Sequence, residues 1–184
     1  MNYIIIFLKQ NNKKQEELLI DFLKGFLGNI NVIRNNKNLI INYATEVSDL
    51  SEIANVIIND FYIDITLLEL KTNSNEYLDQ MINLYDNLEM KSIYYLNEKS
   101  IMNLSSKCNN EVIKKEILKE YYNDVEMLKI IKVYLESDLN TTAAANLLYI
   151  HRNTLINKID KFINITNYDI RKFKDASIIY QLIK

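Results

Sequence analysis

Asn140-Thr141-Thr142-Ala143-Ala144-Ala145-Asn146-Leu147-Leu148-Tyr149-Ile150-His151-Arg152-Asn153-Thr154-Leu155 reads as two short helices joined by a tight turn. Thr141 and Thr142 are N-cap candidates for a first helix carrying three alanines. A second helix restarts near Arg152, with Leu155, Ile159 and Phe162 on one stripe. Ala145 is small enough to let two helices approach closely, and Ile150 follows the turn as an apolar anchor. This is the pattern of a helix-turn-helix, and it makes DNA binding the leading functional expectation.

Upstream, Met127, Ile130, Ile131, Tyr134 and Leu135 repeat at i, i+3, i+4, i+7 and i+8, the stripe of a supporting helix. Downstream, Thr166-Asn167-Tyr168-Asp169 has the spacing of a capping box for a last helix carrying Ile170, Phe173, Ala176, Ile179 and Leu182. No strand signal survives beyond residue 100. The polar stretch Ser105-Ser106-Lys107-Cys108-Asn109-Asn110 is the best boundary. It gives an α/β sensor or dimerisation domain over 1–104 and a helix-turn-helix DNA-binding domain over 111–184.

Strand-like and helix-like runs alternate through the first hundred residues. A strand over 3–8 precedes an amphipathic segment with Leu18, Leu19, Phe22, Leu23 and Phe26. Short apolar runs at 30–34 and 39–43 flank Asn35-Asn36-Lys37-Asn38, a β-hairpin signal with residues that tolerate left-handed backbone at its tip. A helix over 48–60, a buried strand over 63–70, a helix over 75–88 and a short strand over 92–96 follow. The order βαββαβ, then αβ, predicts an α+β chain whose first six elements form a ferredoxin-like sandwich with two helices on one sheet face.

Composition narrows the function classes. Forty-eight per cent of the 184 residues are hydrophobic, enough for a real core. Proline is absent and glycine occurs only at Gly25 and Gly28, so no phosphate-cradling glycine loop exists. A single cysteine, Cys108, excludes an internal disulfide, and a polar surrounding reads as an ordinary surface thiol. The N-terminal apolar run is too short to span a bilayer and lacks a basic leader, so a cytoplasmic location is expected. One histidine, His151, has no partners for catalysis or metal binding and is expected to cap or pack the turn. No enzymatic activity, metal or cofactor is expected. No residue of the α/β part stands out as a ligand contact, so a small-molecule effector stays unidentified.

Net charge is −2, unevenly spread. Residues 1–110 hold 10 basic and 14 acidic side chains (−4), residues 111–140 hold 5 and 7 (−2), and residues 141–184 hold 7 and 3 (+4). Positive charge gathers where the helix-turn-helix lies.

At 100° per residue, Asn153, Asn157, Asp160 and Lys161 project opposite the apolar stripe of the second helix. Arg152 opens that helix, where a guanidinium can address guanine O6 and N7. Asn153 and Asn157 suit adenine edges, Lys158 and Lys161 suit phosphates, and Thr154 can reach a phosphate or bond back to the preceding turn. The same side chains also occur on any solvated helix face, and a plain αα-corner shares the pattern. A protein-interaction module that keeps the fold without DNA binding is therefore the second expectation, motivated by Ile156, Asp160 and the acidic first 140 residues.

The run from Leu135 to Ile163, above all Asn140, Ala145, Leu148 and Ile150-His151-Arg152-Asn153-Thr154-Leu155, resembles the C-terminal helix-turn-helix of PucR-type and sugar-diacid-regulator-type transcription factors, itself similar to the Fis DNA-binding domain. The resemblance covers about the last 60 residues. It implies sequence-specific binding of double-stranded DNA, commonly as a dimer, and transcriptional control. A homodimer would read two half-sites about 34 Å apart. In such regulators the preceding region is often a degenerate GGDEF-like domain, and the βαββαβ order is similar in outline. Here the hairpin tip Asn35-Asn36-Lys37-Asn38 offers no carboxylate for a metal, so cyclase activity is not expected. Tyr149 stands where that family usually has glycine, and the turn is expected to adopt a conformation that tolerates a side chain.

Overall fold

A computed structural model describes residues 1–10, 12–35, 38–45, 47, 49–88, 93–104 and 110–184. Two of the readings above, the hairpin tip at 36–37 and Cys108, fall outside these residues, as does nearly all of the polar stretch 105–110. The chain divides into two compact units, Met1–Ile101 and Met102–Lys184. Among the described residues no helix is long and apolar enough to cross a membrane.

The first unit runs β1 (Asn2–Leu8), α1 (Lys13–Leu27), β2 (Ile30–Asn35), β3 (Asn38–Tyr43), α2 (Leu50–Asp60), β4 (Ile65–Lys71), α3 (Asn75–Asp86) and β5 (Tyr95–Asn97). The sheet order is β2-β3-β1-β4-β5. β1 lies antiparallel between β3 and β4, with Ile4 opposite Ile41 on one side and Glu69 on the other. The first four strands are thus the split βαβ arrangement that the sequence pattern predicts, and β5 adds a short parallel edge beside β4.

Alternation along β1 explains why this strand is central. Ile4, Ile6 and Leu8 join Leu39, Ile41, Leu67 and the apolar stripes of α1 and α2 in one core. Phe7 points to the opposite face, stacks on Tyr85 of α3 at 3.6 Å, and lies beside Thr66, whose hydroxyl accepts from the Tyr85 hydroxyl at 2.9 Å. α1 and α2 share one face as expected, and α3 covers the other. Within α1 the buried set is Leu19, Ile20, Leu23 and Leu27. Leu18 and Phe26, placed in the stripe by the sequence reading, are exposed, because the helix turns its Leu19/Leu23 side to the sheet.

Where that core meets the sheet end, the Tyr95 hydroxyl donates to Glu69. Burial, reinforced by the Glu69 charge, pushes the Tyr43 phenol up to about 12. Burial and the Glu69 bond push Tyr95 up as well.

The second unit is helical: α5 (Glu111–Leu118), a 3-10 turn at Lys119–Tyr121, α6 (Val125–Glu136), α7 (Thr141–Leu147), α8 (Arg152–Thr166) and α9 (Phe173–Ile183), with α4 (Glu98–Leu104) bridging the two units in sequence. Met127, Ile130, Ile131 and Tyr134 of α6 are buried as their spacing requires, and Leu135 is partly so.

Two expectations fail at the last helix. Thr166 opens no capping box: it is the last residue of α8, its hydroxyl donates back to the Phe162 carbonyl at 2.8 Å, and Asn167 at φ 64° ends that helix. α9 starts only at Phe173, which is 84% exposed rather than buried. Its first turn is fastened from inside instead, by buried Asp175 accepting from the Asp169 amide at 2.8 Å.

Candidate nucleic-acid interface

The site is built from α6, α7 and α8. Asn140, not Thr141 or Thr142, caps α7: its side-chain oxygen accepts from the Thr142 and Ala143 amides at 3.0 and 3.1 Å. Asparagine at this position satisfies two amides that have no partner inside the helix. Ala144 and Ala145 are buried in the close contact that their size permits.

The turn after α7 is a Schellman motif. The Ile150 amide donates to the Ala145 carbonyl at 3.1 Å and the Tyr149 amide to the Asn146 carbonyl at 3.2 Å. Tyr149 sits at φ 53°, the left-handed region that favours glycine. The turn therefore keeps the glycine conformation and strains the tyrosine, contrary to the expectation that it would change shape. The two turn hydrogen bonds, at about 0.5–1.5 kcal/mol each, offset a strain of roughly 1–2 kcal/mol. The Tyr149 ring itself is 97% exposed. Ile150 is half-buried at the exit of the turn.

His151 caps α8, its Nδ1 accepting from the Asn153 amide at 3.2 Å. One face of α8 is then fixed by Leu155, Ile159 and Phe162, all buried, with Phe162 stacked on Tyr121 at 5.4 Å. At the far end Lys119 donates to the Ile165 carbonyl at 2.6 Å, a cation on the negative pole of the helix.

The sequence-predicted residues separate into two groups on this scaffold. Arg152, Asn153, Thr154, Asn157 and Lys161 are all exposed. The Nε of Arg152 donates to the Thr141 hydroxyl at 3.1 Å, tying the starts of α7 and α8 together, and the described residues give its two terminal nitrogens no partner. Lys158 differs: it stands on the flank nearer α6 and pairs with Glu126 at 3.2 Å. Asn164 shares the outward face with Asn153 and Asn157, seven positions beyond Asn157, and the sequence reading passed over it although the same 100° arithmetic finds it.

Asp160, which by its sign would repel a phosphate, is paired with Arg171 at 3.0 Å. Arg171 also bonds Asp169 at 2.9 Å. Burial pushes the Asp169 carboxyl up, but hydrogen bonds and charge from Arg171, with help from Lys172, hold it below its ordinary value. The resulting face is polar amide and cation, with its carboxylate neutralised from the side.

Three likenesses accompany this geometry. A 58-residue stretch is 40% identical to the uncharacterized protein YxkF of Bacillus subtilis (strain 168), covering 32% of this chain and 20% of that protein, so the chain spans about a fifth of that relative. The fold is similar to that in the crystal structure of a regulator of polyketide synthase expression from Bifidobacterium adolescentis, with TM-score 0.55, 12% identity, 97% of this chain and 77% of that one. At such identity the likeness is one of fold alone. The family model that matches is the PucR C-terminal helix-turn-helix domain, over residues 127–181, from α6 to near the end of α9. Residues 127–181 of this chain are a PucR C-terminal helix-turn-helix domain.

Proposed function

We propose that the chain is a transcriptional regulator that binds double-stranded DNA by laying α8 in the major groove, as a homodimer. The observation that carries this reading is the outward face of α8. Asn153, Asn157, Lys161 and Asn164 are exposed there without a side-chain partner among the described residues, and Arg152 stands at its start. Amides and a guanidinium match the donor and acceptor edges of bases, and Lys161 matches a phosphate. Thr154 and Lys158 lie toward the flanks, where backbone contacts fall. The unit Met1–Ile101 serves dimerisation or the sensing of an effector. The function is binding, without a catalytic step, in the cytoplasm.

A second reading has its own support: Leu147 and Tyr149 expose apolar surface on the helix-turn-helix turn. A protein-interaction module would use that surface in place of α8's polar face. Fluorescence anisotropy with a random-sequence duplex separates the two. DNA binding requires a binding constant whose logarithm falls linearly with the logarithm of salt concentration, with a slope of about −0.9 per neutralised phosphate. No binding at low salt, together with retained self-association or capture of an apolar peptide, would replace the first reading with the second. Sedimentation of the free chain tests the homodimer.

A further inference from the structure

Resting on that DNA-binding reading, we infer that Lys172-Phe173-Lys174 forms a second contact with the DNA backbone, beside the groove that α8 enters. The segment lies at the start of α9 and is exposed throughout. Phe173 is 84% exposed although its spacing puts it in the core stripe of an amphipathic helix. It is flanked on both sides by lysine.

Four observations assign this surface to a polyanion. Lys174 has no ion pair among the described residues, and Lys172 meets only Asp169, at 3.7 Å. Arg171 spans from Asp169 to Asp160, so the segment is tied directly to the outward side of α8 and is continuous with the proposed interface. The same bridge occupies the carboxylates that would otherwise repel a phosphate. Lys161, exposed and with no ion pair among the described residues, adds a further cation on the adjoining helix. An aromatic ring between two lysines fits the sugar-phosphate backbone, where the ammonium groups meet phosphate oxygens and the ring lies on deoxyribose. Such a contact fixes the register of α8 without reading sequence.

The test uses the full chain and a duplex enriched by that chain from a random-sequence pool, with a scrambled duplex alongside. Dissociation constants are measured across a salt series for the parent, the Lys172→Ala/Lys174→Ala variant, Phe173→Ala and Asn157→Ala, each with a thermal melt. The double lysine variant is expected to weaken both duplexes alike and to make the salt slope shallower by about 2, one unit for each lost phosphate contact. Phe173→Ala weakens binding with the slope unchanged. Asn157→Ala loses preference for the enriched duplex and keeps the slope. If Asn157→Ala loses preference while the lysine variant keeps both affinity and slope, the second contact is refuted and the α8 reading stands. If the parent enriches and binds no duplex, the α8 reading fails and this contact fails with it.

Discussion

Strand β1 and helix α8 are the two central elements of their units, and they treat their faces in opposite ways. From Ile4 to Leu8 both faces of β1 are buried, one against α1 and α2, the other against α3. α8 buries Leu155, Ile159 and Phe162 and leaves a complete polar face in solvent. A strand buried on both sides has no surface left for a partner, and its residues are fixed by packing alone. Asn153, Asn157, Lys161 and Asn164 on the outward face of α8 make no side-chain contact with the other described residues, so their identities are free to serve recognition. The contrast locates function in the side chains that packing does not need.

Substitutions on the two faces of α8 sharpen that contrast most strongly. Phe162→Ala removes a ring buried against Tyr121 and is expected to cost about 3–5 kcal/mol in denaturant unfolding. Ile6→Ala in β1 is expected to cost about 2–5 kcal/mol for the same reason. Asn157→Ala should stay within about 0.5 kcal/mol of the parent. Comparable destabilisation by Asn157→Ala would break the distinction between a packed face and a reading face.

Smaller effects are expected at the turn and beneath α8. Tyr149→Gly relieves left-handed strain in the Schellman turn and is expected to raise stability by about 1 kcal/mol. A loss of stability on that substitution would mean that the exposed ring makes a contact absent from this structure. The Tyr121 hydroxyl is buried with no hydrogen-bond partner among the described residues. Tyr121→Phe should therefore be neutral or stabilising, by up to about 1 kcal/mol in chemical unfolding.

The smallest expected effect is at acid pH. Asp169 has a folded-state pKa depressed below its unfolded value, so its contribution is complete above the unfolded value near 3.9 and fades as pH falls through the folded one. Arg171→Ala should make the acid limb of the melting curve shallower than in the parent. An identical acid limb would show that the Arg171 bridge does not couple to folding. At the alkaline end the sign is reversed for Tyr43: its folded pKa is raised, so stability is lost as pH rises from 10 towards about 12.

The sheet was readable because strands of alternating or continuous apolar character have few ways to pair, and β1 with its neighbours followed them. Packing direction was less legible. The stripe proposed for α1 included Leu18 and Phe26, which face solvent, since apolar content alone leaves the phase of a helix undecided when hydrophobic residues occupy both sides. At α9 the error was one of capping. Thr166 and Asp169 have capping-box spacing, yet the threonine hydroxyl turns back to Phe162 and Asp169 is held by Arg171, so the helix begins six residues later than that box would start it. Phe173 then stands at the first position of α9, exposed to solvent. In the helix-turn-helix, the helices and the outward residues were legible from period and turn chemistry. The pairing of Lys158 with Glu126 and of Asp160 with Arg171 was not, because both join residues brought together only by the tertiary fold.

The most direct test of the central claim is selection of binding sites from random duplex DNA, run in parallel for the parent and for an Arg152→Ala, Asn157→Ala, Lys161→Ala variant that melts like it. The outward face of α8 predicts that the parent enriches a motif, repeated at about one helical turn if the chain is dimeric, and that the variant enriches none. Enrichment of the same motif by both proteins would contradict the assignment of α8 as the reading helix.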